Sequence, residues 1–203
     1  MNVELLLYLH LINMTLKNIF TDFIDIETFK INLPQLKKHI LDVKKHNQTR
    51  HISNVGGWQS ETFLIPNKEN QLLFNSLYKQ VKKVKKRLNI YRDLKLLGYW
   101  YNINYKSSFN TPHRHVGKSD IISGVFYVDT FKDCGNIVFR RNNPILDIMY
   151  QENVEDYNEY NSSVWTEIPE NNKSILFPAY LEHMVLPNLK DKPRISISYN
   201  YGI

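Results

Sequence analysis

Two hydrophobic periods divide the chain. From Leu33 to Lys45 apolar residues recur at helical spacing, with Leu36, Ile40 and Val43 on one face and Pro34 in the first turn, where its missing N–H costs nothing. A longer amphipathic pattern runs from Asn70 to Tyr91, with Leu77, Val81, Val84 and Leu88 sharing a face. Between them, Ser53-Asn54-Val55-Gly56-Gly57-Trp58-Gln59-Ser60 reads as a loop, its paired glycines marking a turn. From Gly98 the period shortens. Tyr99-Trp100-Tyr101-Asn102-Ile103-Asn104-Tyr105 is aromatic-rich and strand-like. Strand candidates follow at Ile121 to Asp129, Asn136 to Phe139, Val164 to Ile168, Ser174 to Phe177, His183 to Leu186 and Arg194 to Tyr199. Turn signals separate them at Asp133-Cys134-Gly135, Asn142-Asn143-Pro144 and Glu170-Asn171-Asn172. Many short strands with turns between them predict a sandwich or jelly roll rather than a parallel sheet. Helices first and strands second predict an α+β layout, with the helices packed on one sheet face.

Composition adds limits. At 203 residues, 42% hydrophobic and 13% aromatic, the chain can bury a sizeable core and suits one domain. Residues 1–95 would form a helical N-terminal part and residues 96–203 the β core. No repeat, low-complexity tract or Gly/Ser linker divides it. The single cysteine, Cys134, cannot form an internal disulfide and has nothing beside it that marks an activated thiol. Met1 to Ile12 is apolar but carries Glu4, has no basic leader, and falls short of the ~20 residues of a membrane span. It reads as a first helix, or as sequence upstream of a true start at Met14, and the expected location is the cytoplasm with no membrane partner. Much of the net charge of +6 lies in Lys79 to Arg87. Because Leu77, Val81, Val84 and Leu88 alternate with these lysines at helical spacing, they read as the solvated face of a helix, with nucleic-acid contact the lesser alternative.

The chemistry concentrates in three places. Pro112-His113-Arg114-His115 puts two histidines two apart, which on extended backbone point the same way and can share a metal. A His-x-His pair alone is weak evidence. His183 stands in an apolar stretch, Phe177 to Pro187, where a lone histidine is more often a packed core residue. Its weight comes from Arg194, eleven residues later, which opens the strand Arg194-Ile195-Ser196-Ile197-Ser198-Tyr199-Asn200. Alternation places Arg194, Ser196, Ser198 and Asn200 on one face and Ile195, Ile197 and Tyr199 on the other. A buried guanidinium needs an anion, and its planar fork suits a carboxylate. Taken alone, Arg194 can equally pair with an acid of the protein.

Together these pieces resemble the iron and 2-oxoglutarate site of the non-haem dioxygenases. His-x-ligand, a distant His and an Arg about ten residues beyond it occur here in the same order. The resemblance is closest to a small group of 2-oxoglutarate/iron oxygenases of marine bacteria and their phages. It rests on Gly56-Gly57-Trp58-Gln59-Ser60, the Ser123 to Tyr127 strand (Ser-Gly-Val-Phe-Tyr) and the Phe177 to Pro187 segment. It implies a double-stranded β-helix (jelly roll) core and hydroxylation of a C–H bond with Fe²⁺, 2-oxoglutarate and O₂. In its terms His113 and His183 hold iron, Arg194 takes the far carboxylate of 2-oxoglutarate, Ser198 is a hydroxyl partner, and Tyr127 matches a co-substrate tyrosine of prolyl hydroxylases. Without the resemblance, Tyr127 reads as packing.

One position departs from the wider superfamily, which has Asp or Glu where this chain has His115. His115 is then a third ligand, or Asp120 supplies the carboxylate, or two histidines are completed by water. An imidazole in place of a carboxylate leaves the iron more positive by one charge. Two rival readings stay open: a three-histidine cupin-type dioxygenase without 2-oxoglutarate, which leaves Arg194 unexplained, and a non-catalytic jelly-roll binding module. Likeness to prolyl hydroxylases makes a peptidyl residue the first expectation for substrate, ahead of a small molecule. The aromatic segment Tyr99 to Tyr105 and the acidic stretch Glu152 to Tyr160 are candidates to border the pocket, the latter more simply an exposed loop.

Overall fold

The long C-terminal strand organises the molecule. The computed structural model describes residues 19, 21–117, 119–141, 143–150 and 153–203. The readings of Met1–Ile12 as a helix and of Met14 as the start lie outside these residues. Strand β11 (Arg194–Gly202) sits at the middle of a six-stranded sheet, ordered β1 (Asp25–Thr28), β9 (Lys173–Pro178), β6 (Asp120–Asp129), β11, β4 (Lys95–Asn104), β3 (Trp58–Gln59). Facing it is a five-stranded sheet, ordered β2 (Asn54–Val55), β5 (Phe109–His113), β10 (Glu182–Val185), β7 (Ile137–Arg140), β8 (Val164–Glu167). All pairings are antiparallel. This is the expected α+β jelly roll.

Two helices cover the outer face of the larger sheet. Helix α1 (Leu33–His46) begins where the Asn32 side chain accepts the Gln35 N–H, and buries Leu36 and Ile40. Helix α2 (Gln71–Arg87) buries Leu73, Phe74, Leu77, Val81 and Val84. These side chains form one core with Tyr99, Tyr101, Phe126, Ile195, Ile197 and Tyr199 of the sheet. Lys79, Lys82, Lys83, Lys86 and Arg87 are exposed, as the amphipathic pattern predicts. A second core lies between the sheets, made by Val125, Tyr127, Ile137, Phe139, Ile175, Phe177 and Leu181.

The structure differs from the sequence pattern in three places. Helix α2 stops at Arg87 rather than Tyr91, because Asn89 turns left-handed (φ 54°) and the Asn89 and Ile90 N–H groups close onto the Lys86 and Lys85 carbonyls. The N-terminal part adds strands β1, β2 and β3 to its helices. The Gly56-Gly57 turn does form, with Gly56 left-handed (φ 71°), but it joins β2 of one sheet to β3 of the other, so the loop straps the sheets together. Third, the turn signal at Pro144 is the start of a short helix, α3 (Pro144–Tyr150).

Candidate active site

Cross-strand register brings the distant histidines together. His113, the last residue of β5, pairs directly with His183 of β10, and their ring centroids lie 4.3 Å apart. His115 lies past the end of β5. Its backbone N–H donates to the Ala179 carbonyl, and its ring lies parallel to that of His183 at 5.3 Å. One ligand atom from each of His113, His115 and His183 falls within 4.8 Å of the others. Among the described residues no other group of three His, Cys, Asp or Glu side chains converges in this way. Asp120, the alternative third ligand, instead accepts the Gly117 N–H at 3.0 Å and closes the turn that follows His115.

His183 is buried, and His113 and His115 are half-buried. Burial pushes the His183 pKa down to about 3 and that of His115 to about 4, and it lowers that of His113. Neutral imidazole is the form that binds metal. In His113 and His183 the tautomer is fixed as well. Nδ1 of His113 donates to the Thr111 carbonyl (2.7 Å) and Nδ1 of His183 to the Leu181 carbonyl (2.9 Å). A carbonyl only accepts, so each proton stays on Nδ1 and each Nε2 keeps its lone pair.

A cavity of about 170 Å³ between the sheets runs from the histidines to Arg194. Arg194 is buried on the polar face of β11, as alternation predicts. Its Nη1 donates to the Gly135 (2.6 Å) and Cys134 (3.3 Å) carbonyls, while Nε is buried with no protein partner. No Asp or Glu among the described residues forms an ion pair with it. A guanidinium buried without an acid is a site prepared for an anion. Ser198 lines the same cavity and its hydroxyl accepts from the Asn102 amide at 3.0 Å. Tyr127 also lines it; burial raises the phenol pKa, and the Arg194 charge opposes that rise. These positions fit a dicarboxylate held at one end by Arg194 with its other end toward the histidines.

The Tyr99 to Tyr105 segment does border the cavity, through Trp100 and Asn102. Trp100 stacks near His115 with ring centroids 5.8 Å apart, and Asn110, Ser123 and Asn200 add to the polar lining. Strand alternation from Tyr99 marks Trp100 and Asn102 as a face apart from the buried Tyr99 and Tyr101, and that was the available signal. Residues 153–160 of the acidic stretch are mostly exposed and stay off this cavity. Glu159 instead borders a second hollow of about 400 Å³ between the β1 and β8 edges, which no histidine among the described residues lines.

Residues 98–200, half of the chain, match the family described as "Putative 2OG-Fe(II) oxygenase", and the protein belongs to it. It is therefore an oxidoreductase that uses Fe²⁺, 2-oxoglutarate and O₂. The fold is similar to that of a Pseudomonas putida prolyl-4-hydroxylase at 11% identity, covering 90% of this chain and 93% of that one, with a TM-score of 0.61. A prolyl hydroxylase from Trichoplax adhaerens, solved with a hypoxia inducible factor peptide fragment, is similar at 12% identity, with 88% and 83% covered and a TM-score of 0.61. So is the viral collagen prolyl hydroxylase of Paramecium Bursaria Chlorella virus-1 in its 2OG complex, at 11% identity, 89% and 97% covered, TM-score 0.57. No curated protein matches the sequence. Among the described residues no helix is long and apolar enough to cross a membrane.

Proposed function

We propose that the protein hydroxylates a C–H bond of an uncharged peptidyl residue, with iron held by His113, His115 and His183 and 2-oxoglutarate held by Arg194 with Ser198 and Tyr127. The observation that carries the reading is one cavity with three converging neutral histidines at one end and an arginine lacking any acid partner at the other. Iron(II) with 2-oxoglutarate and O₂ supplies an oxidant able to attack an unactivated C–H bond, with succinate and carbon dioxide as co-products. The chain supplies the rest. Backbone carbonyls orient His113 and His183, Arg194 fixes the far carboxylate of the co-substrate, and the apolar residues between the sheets exclude water.

The walls bear on the substrate. Among the described residues Arg194 is the only fixed charge lining the cavity, and Ile52, Ser53, Gln59, Thr62, Trp100 and Asn110 present neutral surface. A free amino acid would bring an ammonium and a carboxylate with no counter-charge to meet them, whereas a side chain on a peptide brings neither. Fold similarity to prolyl hydroxylases favours the same class.

The test begins with metal analysis and succinate release from 2-oxoglutarate, then a screen of neutral peptides by mass spectrometry for a gain of one oxygen atom. One Fe²⁺ per chain is expected, with severe loss in His113→Ala or His183→Ala. Full iron occupancy in His183→Ala would overturn the ligand set, and oxygen gain only on free amino acids would overturn the substrate class.

A further inference from the structure

The third histidine is held differently from the other two. Nδ1 of His115 meets the side-chain amide of Asn200, with Asn200 Nδ2 at 3.1 Å, where His113 and His183 each have a backbone carbonyl. The other end of that amide is held by Ser123, whose hydroxyl donates to Asn200 Oδ1 at 2.9 Å. Register explains the contact. Ser123 and Asn200 are direct partners across β6 and β11, and the β11–β4 pairing breaks register just after Asn200, a bulge of the kind that re-aims side chains.

Hydrogen-bond chemistry then constrains the ring. An amide nitrogen only donates, so with Nδ2 on Nδ1 the ring proton sits on Nε2. Nε2 is the one ring nitrogen left for a metal, and in that tautomer it has no lone pair to give. Turning the amide over exchanges oxygen and nitrogen in nearly the same space. Oδ1 then accepts from Nδ1–H, and Nδ2 donates to the Ser123 hydroxyl, which serves equally as donor or acceptor. Only this second orientation gives His115 a metal-binding Nε2.

We infer that Asn200, braced by Ser123, is the positioning residue for His115: its amide oxygen accepts a hydrogen bond from Nδ1–H, keeps the proton there and so leaves the Nε2 lone pair for the metal. The inference rests on the three-histidine reading above. His113 and His183 are ligands by virtue of fixed backbone, and His115 becomes one only through a side chain that can take either orientation.

The experiment uses zinc as a redox-silent probe on the full chain, with affinity measured by competition against a chelator and ring tautomers by long-range ¹H–¹⁵N NMR of the zinc-loaded protein. Asn200→Leu removes the acceptor at similar volume, and zinc affinity is expected to fall roughly 10- to 100-fold, the usual effect of losing such a partner. Asn200→Asp offers only acceptor oxygens and is expected to restore wild-type affinity or better, with the His115 proton on Nδ1 as in the wild type. If His115→Ala binds zinc as tightly as the wild type, the ligand set falls and this inference with it. If His115→Ala weakens binding but Asn200→Leu does not, the ligand set stands and the role of Asn200 is overturned. Equal losses in Asn200→Asp and Asn200→Leu would also overturn it, reducing the contact to packing.

Discussion

Arg194 carries a desolvation cost that its protein partners offset only in part. Its side chain is almost wholly buried, two of its hydrogen bonds go to neutral carbonyls, and Nε is left over. Burial alone lowers the pKa of the guanidinium, which expresses the same unfavourable desolvation. Loss of a buried charge-assisted pair costs on the order of 2–5 kcal/mol. Arg194→Ala is therefore expected to weaken 2-oxoglutarate binding by roughly 30-fold or more. Iron binding should survive, because the guanidinium is not among the converging ligands. Titration of 2-oxoglutarate into the anaerobic iron protein, followed by the metal-to-ligand charge-transfer band, reads both. An unchanged affinity would remove Arg194 from the co-substrate site.

At the scale of elements, the turn before β7 matters as much as the strand that bears the arginine. Gly135 adopts φ +95°, a conformation that an L side chain resists. A Cβ there would lie 2.2 Å from the Leu186 carbonyl oxygen and 3.1 Å from Arg194 Nη1, the atom its own carbonyl accepts. Gly135→Ala is expected to cost about 1–3 kcal/mol in denaturant unfolding and to weaken 2-oxoglutarate binding without changing metal affinity; a loss of stability with intact co-substrate affinity would separate the turn from the site. Such a turn was visible in sequence as Asp133-Cys134-Gly135, and β11 was legible residue by residue because its polar and apolar faces alternate without a break. The missed strands lacked that signal. Strands β2 and β3 are two residues each, and β5 contains Pro112. Such segments are strands by virtue of partners far away in the chain, such as His183 opposite His113, which no local pattern encodes. The same limit hid Asn200 as the neighbour of His115. Its face on β11 was readable, but a contact with a residue 85 positions away was not.

Across the whole molecule, the six-stranded sheet separates support from chemistry. Ile195, Ile197 and Tyr199 of β11 pack with the helices, while Arg194, Ser196 and Ser198 face the cavity. A buried polar chain ties the helical layer to the sheet: Ser174 Oγ donates to Gln80 Oε1, and Gln80 Nε2 donates to the Asp25 side chain and backbone. Ser174 Oγ also lies 2.8 Å from the Tyr199 hydroxyl. Leu77 of α2 is completely buried in the helix–sheet core, on the far side of the sheet from the histidines. Leu77→Ala removes its methyl groups from a close-packed layer and is expected to destabilise the protein by about 2–5 kcal/mol, read by thermal or denaturant unfolding. Zinc affinity and the 2-oxoglutarate titration should stay at wild-type values below the unfolding transition, because the backbone of β11 holds the cavity face through its ladders to β4 and β6. A fall in metal affinity equal to that of a ligand variant would instead mean that the helices shape the site directly, and that the outer core is part of the active centre.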